Sequence, residues 1–439
     1  MKLRVLALAA VLAFAGVRVD AQPAPRRLSF AEAVSLAVQQ NLALRAAALD
    51  VAVAEAQLAQ ARAGGAPQLN LTSSYTYLQQ RGQTLTFPNP FGPVPPTLTV
   101  QVPPPDPNVL ALRLAAQVPL YTGGRLEAQG ALAEANVRGA RAVLERTRQQ
   151  VVFGVHQAYL QLLLARENEA AARRALVAAE ESVRVARARV AAGVAAPFDL
   201  LQAEVALSNA QQALARAQAQ VGATQVQLAS LLNLPLETRF EPTDELAPRP
   251  VPGTLEEWVG RALRNRPDLL ELQARAEAAR AGVDLARSGG KPNVALAAQY
   301  DLTGNTPSNL FGAWSVTLAV TLSLYDGGIT RERVREAELR LQQLEVLQAQ
   351  ARQRAELEVR QAWLALQQAG PELAAAERAA EQAREALRIA RVRFEAGVGT
   401  SLELVTAQAQ LAQAEVGLAV ARFNQNLARS QLLLASGAL

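Results

Sequence analysis

Hydrophobic and polar residues alternate with period two in four short stretches of this chain. From Trp314 to Tyr325, Val316, Leu318, Val320, Leu322 and Leu324 fall on one face, with Ser315, Thr317, Ala319, Thr321 and Ser323 on the other. That spacing predicts a strand with one apolar face. Leu110, Leu112, Leu114, Val118 and Leu120 against Ala111, Arg113, Ala115 and Gln117 predict another. Weaker alternation precedes each one, in Leu69, Leu71, Tyr75 and Tyr77 and in Val294, Leu296 and Tyr300. Two β-hairpins are expected, at 66–121 and 291–325.

The remaining pattern is helical. Ser29 with Glu32 and Thr254 with Glu257 have capping-box spacing and open expected helices from Ser29 to Arg62 and from Leu255 to Arg287. After each hairpin comes a much longer helical stretch, 124–192 and 328–396, with Pro371 as its only proline. At 1.5 Å per residue each would span roughly 100 Å. Val334, Ala337, Leu341, Leu344, Ala351, Ala355, Ala362 and Ala365 keep heptad a/d spacing, so these are coiled-coil elements. Gly-containing tip turns at 193–196 and 397–400 reverse the chain into shorter helices, 197–233 and 400–436.

The chain is one unit written twice. Ala61-Arg62-Ala63-Gly64-Gly65-Ala66-Pro67 returns as Ala286-Arg287-Ser288-Gly289-Gly290-Lys291-Pro292, displaced by 225 residues. Leu120-Tyr121-Thr122-Gly123-Gly124 returns as Leu324-Tyr325-Asp326-Gly327-Gly328, displaced by 204, and the same displacement relates Tyr159 to Trp363 and Gly193 to Gly397. The difference, 21 residues, falls in the first hairpin, where Pro88, Pro90, Pro93, Pro95, Pro96 and Pro103 to Pro105 cluster. Proline lacks a donor and fixes φ, so a long exposed loop is expected there. The first repeat is 22–233 and the second 253–439. The segment 234–252 links them and is expected to pack around the outside.

Four strands of about ten residues have the length of membrane-spanning β-strands. The alternative is a soluble sheet with one buried face, but the rest of the chain is long helix and offers no cover for it. Tyr75, Tyr77, Tyr121, Tyr300, Tyr325 and Trp314 lie in or at the ends of the strands, where an aromatic belt would put them. Four strands cannot close a barrel, and an open edge cannot sit in lipid. Oligomerisation is required: eight strands in a dimer or twelve in a trimer.

Composition narrows the function classes. Lys2 and Arg4 precede an apolar run from Val5 to Val17, and Val19-Asp20-Ala21 resembles a signal-peptidase site, so 1–21 is expected to be a signal peptide. Its removal takes three positive charges and one negative, leaving +3 of the +5 net charge. Arg interleaves with Glu without a basic block, so nucleic acid is not an expected partner. There is no cysteine, hence no thiol nucleophile or thiolate metal site. No cofactor, nucleotide or catalytic constellation is present, and the lone His156 sits within a long helix.

The duplicated helix–hairpin–long helix–turn–helix unit, the Tyr-x-Gly-Gly junctions (Tyr121, Gly123 and Gly124; Tyr325, Gly327 and Gly328) and the two turns together resemble the TolC-like outer-membrane efflux proteins. Arg189-x-x-x-Gly193 followed by Asp199-Leu200, and Arg393-x-x-x-Gly397 followed by Glu403-Leu404, are similar to that family's periplasmic tip motif. The resemblance covers nearly all of the expected mature chain. It implies an α+β membrane protein: a homotrimer with a twelve-stranded β-barrel, four strands per chain, continued by a long α-helical coiled-coil tunnel in the periplasm. It also implies a passive export conduit of a tripartite efflux or type I secretion system, whose tip docks a periplasmic adaptor attached to an inner-membrane pump. Asp199 and Glu403 are candidates for a ring that narrows the tip and selects cations, or else for helix caps. Where the family often carries a locking Arg, Gly399 stands here, and Thr406 replaces a frequent second acid. The competing function is a periplasmic or surface coiled-coil scaffold without a pore.

Overall fold

The computed structural model describes residues 26–439 apart from 80, 93 and 249; the expected signal peptide lies outside these. Strand β1 (Arg26–Leu28) leads into helices α1 (Phe30–Gln40) and α2 (Leu42–Ala63). Strands β2 (Gln68–Tyr77), β3 (Gln83–Pro88), β4 (Thr97–Val102) and β5 (Asn108–Tyr121) follow, then α3 (Arg125–Ala191) and α4 (Pro197–Leu231). After β6 (Phe240–Pro242), the second half runs α5 (Leu255–Asn265), α6 (Pro267–Ser288), β7 (Asn293–Gly304), β8 (Leu310–Thr321), α7 (Ile329–Glu395) and α8 (Ser401–Ala435).

Three sequence expectations are corrected. The helices expected over Ser29–Arg62 and Leu255–Arg287 are each broken in two. Asn41 leaves the helical region (φ −66°, ψ 126°) and its side chain accepts from the amides of Ala43 and Leu44, a local bond that competes with helix continuation. Arg266 takes the same extended conformation before Pro267, as steric conflict with the proline ring requires. The Pro-rich insertion is not only loop. It holds the antiparallel hairpin β3–β4, detached from the main sheet. Last, β8 ends at Thr321, short of Tyr325, where the turn into α7 takes over. Helix α7 itself continues through Pro371.

The main sheet is antiparallel in the order β2-β5-β7-β8. Its register aligns the two faces across all four strands. One row reads Leu71, Leu114, Tyr300, Trp314; the next reads Thr72, Arg113, Asp301, Ala313. One face is therefore mainly apolar and the other mainly polar or small, as period-two alternation demands, with Ser73 and Phe311 as exceptions at the outer strands. The outer edges, β2 and β8, have no strand partner among the described residues.

The helices form a layer in which α3 lies between α2 and α6, and α6 between α3 and α7. Around the middle of the helices are two cores built from positions that correspond between halves. Val155, Ala158, Tyr159, Leu162 and Leu228 occupy one. Val359, Ala362, Trp363, Leu366 and Leu432 occupy the other. The segment 234–252 packs on the first, with Phe240 and Leu246 buried there and β6 paired in parallel to β1. Tyr159 donates to Leu28 O and Asp244 Oδ2, both at 2.9 Å, and its burial pushes the phenol above its ordinary range. His156 is part of this packing, with its ring centroid 4.2 Å from that of Phe30 and Nδ1 3.1 Å from Ser430 Oγ.

Ion pairs also correspond. Arg62–Glu134 (2.6 Å) matches Arg287–Glu338 (2.9 Å). Arg141–Glu55 (2.7 Å) matches Arg280–Glu345 (3.6 Å), but there the signs are exchanged between the two helices.

Candidate functional site at the helical tip

Each long helix stops for a local reason. At the end of α3, Gly193 (φ +70°) donates to Val190 O and Val194 donates to Arg189 O, both at 3.0 Å. At the end of α7, Gly397 (φ +76°) donates to Phe394 O at 3.2 Å and Val398 to Arg393 O at 3.0 Å. This is the Schellman arrangement, which needs a left-handed residue that glycine supplies without steric penalty. The Arg-x-x-x-Gly spacing is thus a helix stop, with Arg189 and Arg393 at the position whose carbonyl closes the turn.

The returning helices start differently. In α8, Thr400 Oγ1 accepts from the Glu403 amide at 3.2 Å. In α4 the equivalent cap is Ala196, which has no side-chain acceptor, and Asp199 Oδ2 instead accepts from the Ala196 amide at 3.3 Å. Asp199 Oδ1 accepts from Ser401 Oγ at 2.6 Å. Both oxygens of Asp199 therefore hold structure. Glu403 faces solvent, with 46% of its side chain exposed and Oε2 3.5 Å from Arg393 Nε.

The two turns come together within one chain. The Arg189 guanidinium lies 4.6 Å from the centroid of the Phe394 ring, a cation–π contact between the ends of α3 and α7. Higher up, Gln408 Nε2 donates to Ser182 Oγ at 3.1 Å. Between them is a cleft of about 530 Å³ whose walls include Arg189, Asp199, Phe394, Gly397, Ser401 and Leu404. Leu200 is not part of it: it packs with Val183, Ala186 and Ala203 inside the α3–α4 hairpin. At Gly399 a Cβ would lie 3.0 Å from Arg393 Cβ and Phe394 N, so this turn has no room for an arginine without moving. Val194, Phe198, Leu201, Val398 and Leu402 project from the two turns as exposed apolar side chains.

At the opposite ends of α3 and α7 are the junctions with the sheet. Gly123 and Gly124 have φ of +64° and +88°, and Gly327 and Gly328 of +67° and +88°. A Cβ on Gly123 would come within 2.6 Å of Lys291 Cβ, so that position requires glycine twice over. Tyr121 and Tyr325 are exposed there. Sequence reasoning missed the caps beside them. Thr122 Oγ1 accepts from the Leu126 amide at 3.3 Å; at the corresponding place, Asp326 accepts from Gly328 N (2.9 Å) and Thr330 N (2.8 Å). The hydrogen bonds from Thr330 hold the Asp326 carboxyl below its ordinary value. A Thr or Asp just before Gly-Gly is the signal that would have revealed them.

Also missed was a clamp at mid-height. Arg266 Nη1 donates to Glu358 Oε2 (2.7 Å) and Ala435 O (3.2 Å), and Nη2 to Asp268 Oδ2 (2.8 Å). Asn41 occupies the corresponding place in the first half, donating to Leu231 O at 3.1 Å.

Comparison with known proteins gives consistent results. The family described as outer membrane efflux protein matches residues 33–234 and 258–438. Outer membrane protein OprJ of Pseudomonas aeruginosa is 29% identical over 384 residues, which is 85% of this chain and 77% of that protein. A crystallised membrane protein of Pseudomonas aeruginosa superposes with a TM-score of 0.76 at 25% identity, covering 93% of both chains. The outer membrane protein VceC of Vibrio cholerae superposes with the same TM-score of 0.76 at 20% identity, over 93% of this chain and 96% of that one.

Proposed function

The chain belongs to the outer membrane efflux protein family and resides in the outer membrane, and from that premise we propose that three copies close into a passive export conduit. The observation that carries this is a pair of open flanks. Among the described residues the sheet leaves the outer edges of β2 and β8 unpaired, and the helix layer leaves the outer sides of α2 and α7 uncovered. Pairing β2 of one copy with β8 of the next removes every edge, which lipid demands. Three copies give twelve strands, wide enough for an aqueous lumen. The apolar face then meets lipid and the polar face lines the pore.

The helical flanks support the same closure. Inside one chain, α3 meets α6 through Ala135, Gly139, Ala142 and Ala274, flanked by the pairs Arg138–Glu277 and Arg146–Glu271. The corresponding positions on the free flanks are Leu339, Gln342, Gln343, Val346 and Gln350 on α7, and Ala46, Leu49, Ala52 and Val53 on α2. Ala135 and Ala274 are 1% and 4% exposed, whereas Val346 and Leu49 are 68% and 61% exposed. At these positions the free flanks carry larger apolar groups and amides in place of the ion pairs, with Arg45 and Arg335 one turn away from Leu49 and Leu339, as suits a contact between copies.

At the tip, Val194, Phe198, Leu201, Val398 and Leu402 are a docking surface for a periplasmic adaptor linked to an inner-membrane pump, with Arg189, Gly193, Leu200, Arg393, Gly397 and Leu404 keeping the turns in shape. Glu403 is the selectivity group: three copies would ring the entrance and favour cations. Asp199 serves the turn itself. Energy and cargo choice come from the partners, and the chain contributes no chemistry.

Planar-bilayer recording of detergent-extracted protein tests this. Small cation-selective steps are expected, with selectivity reduced in Glu403→Gln. Folded, oligomeric protein that never conducts would defeat the conduit and favour a scaffold.

A further inference from the structure

The membrane end of this chain contains few charges, and they cancel. In β2, β5, β7 and β8 there are two: Arg113 and Asp301. The connecting segments 78–107 and 305–309 add one of each sign, Arg81 and Asp106. Arg113 and Asp301 are direct cross-strand partners in the β5–β7 register. Arg113 Nε donates to Asp301 Oδ1 at 2.6 Å. Their row lies on the polar face, beside Thr72 and Ala313. The remaining residues of that face, among them Ser74, Gln117, Gln299, Ser315 and Thr317, are uncharged.

We propose that the barrel of this conduit is an electroneutral bore, kept so by the Arg113–Asp301 pair, and that it passes cationic, anionic and uncharged cargo without sorting by charge. This deepens the conduit function proposed above and rests on it. A lone charge on this face, repeated in three copies at one level, would make a ring of like charge inside a low-dielectric wall. Such rings concentrate counter-ions and bind multivalent ones. The cross-strand partner at hydrogen-bonding distance cancels the ring where it would form. It also joins the last strand of the first hairpin to the first strand of the second. Charge discrimination is left to the tip, where Glu403 is 46% exposed and its nearest cation, Arg393 Nε, stands 3.5 Å away without a hydrogen bond.

The test is block of single-channel current by multivalent ions added on the extracellular side, which reads the barrel independently of the tip in series. Wild-type channels should be insensitive to both hexamminecobalt(III) and tripolyphosphate at low concentration. Arg113→Gln leaves three Asp301 carboxylates and should bring cobalt block at a concentration on the order of tenfold lower. Asp301→Asn leaves three Arg113 and should do the same for tripolyphosphate. The double variant should match wild type, as should the swap Arg113→Asp with Asp301→Arg, which keeps neutrality if a single variant assembles poorly. Each protein is checked as oligomer by its heat-sensitive mobility on gels. The proposal is overturned if wild type is blocked as readily as the single variants, if the single variants remain insensitive, or if the double variant is blocked by either ion. No current from any of the proteins would defeat the conduit itself, and with it this inference.

Discussion

Arg266 is the residue on which most of the mid-height geometry converges, because it joins the α5–α6 break to both α7 and α8. Replacing it with Gln leaves Asp268 without its cation and Glu358 with Arg354 alone; with both carboxylates about a third exposed to screening solvent, the expected cost is roughly 1–2 kcal/mol. Asn41→Ala removes the cap of α2 and one interhelical bond, and should cost about 1 kcal/mol. The Arg266 cluster also carries a pH signature. Burial alone would raise the Asp268 and Glu358 carboxyls, but the bonds from Arg266 and Arg354 outweigh it and hold both below their ordinary values of 3.8 and 4.5. A lowered folded value means the stabilisation is complete above the unfolded values and drains as pH falls through the folded ones. Thermal melts should therefore separate wild type from Arg266→Gln most widely at pH 7, and progressively less as the pH falls below the ordinary values of 4.5 and 3.8. At the tip, Gly193→Val or Gly397→Val forces a β-branched residue to positive φ, and should cost about 1–2 kcal/mol each. Those two glycines were legible in the sequence because the demand on them is local. The bond from Ser401 to Asp199 was not, since it joins residues 202 positions apart and neither turn alone announces it.

Among elements, the strands and long helices were the legible part. Alternation such as Val316-Thr317-Leu318-Ala319 admits one periodicity, and the 67-residue α3 and α7 contain few local signals that would stop them. What was lost were breaks and additions that depend on one side chain or on distant pairing. Asn41 broke a helix by its own amide-binding carbonyl, and Pro267 acted through the residue before it. The β3–β4 hairpin was hidden because the prolines around Pro88 and Pro95 discourage a strand, although Leu85, Phe87, Leu98 and Val100 alternate across the pair. The two faces of the sheet can be told apart directly in a chain with no cysteine. Thr317→Cys should react with a membrane-impermeant, charged thiol reagent and reduce conductance, while Leu318→Cys next to it should be protected by lipid. Equal reaction at both would mean that the faces do not separate water from lipid.

For the whole molecule, the contrast between the two kinds of helix seam decides how the assembly responds to its surroundings. The seam within a chain is small and ionic; the one proposed between chains has larger apolar groups and amides where those ion pairs stand. Oligomers should therefore resist high salt, which screens exposed ion pairs but not apolar contact. Leu49→Asp or Val346→Asp should dissociate them on native gels. Leu49→Cys combined with Val346→Cys should give a ladder ending at three chains under mild oxidation, and a crosslink confined to monomers would rule out this seam. The exchanged signs of Arg141–Glu55 and Arg280–Glu345 have a different consequence, for interchangeability of parts. Grafting α6 into the place of α2 would set Arg280 against Arg141, and grafting α7 into the place of α3 would set Glu345 against Glu55. Each half has become a lock that fits only its own key. A builder who wanted a wider ring from this unit would have to transplant helices in matched pairs, and a lineage diverging from it would have to change them two at a time.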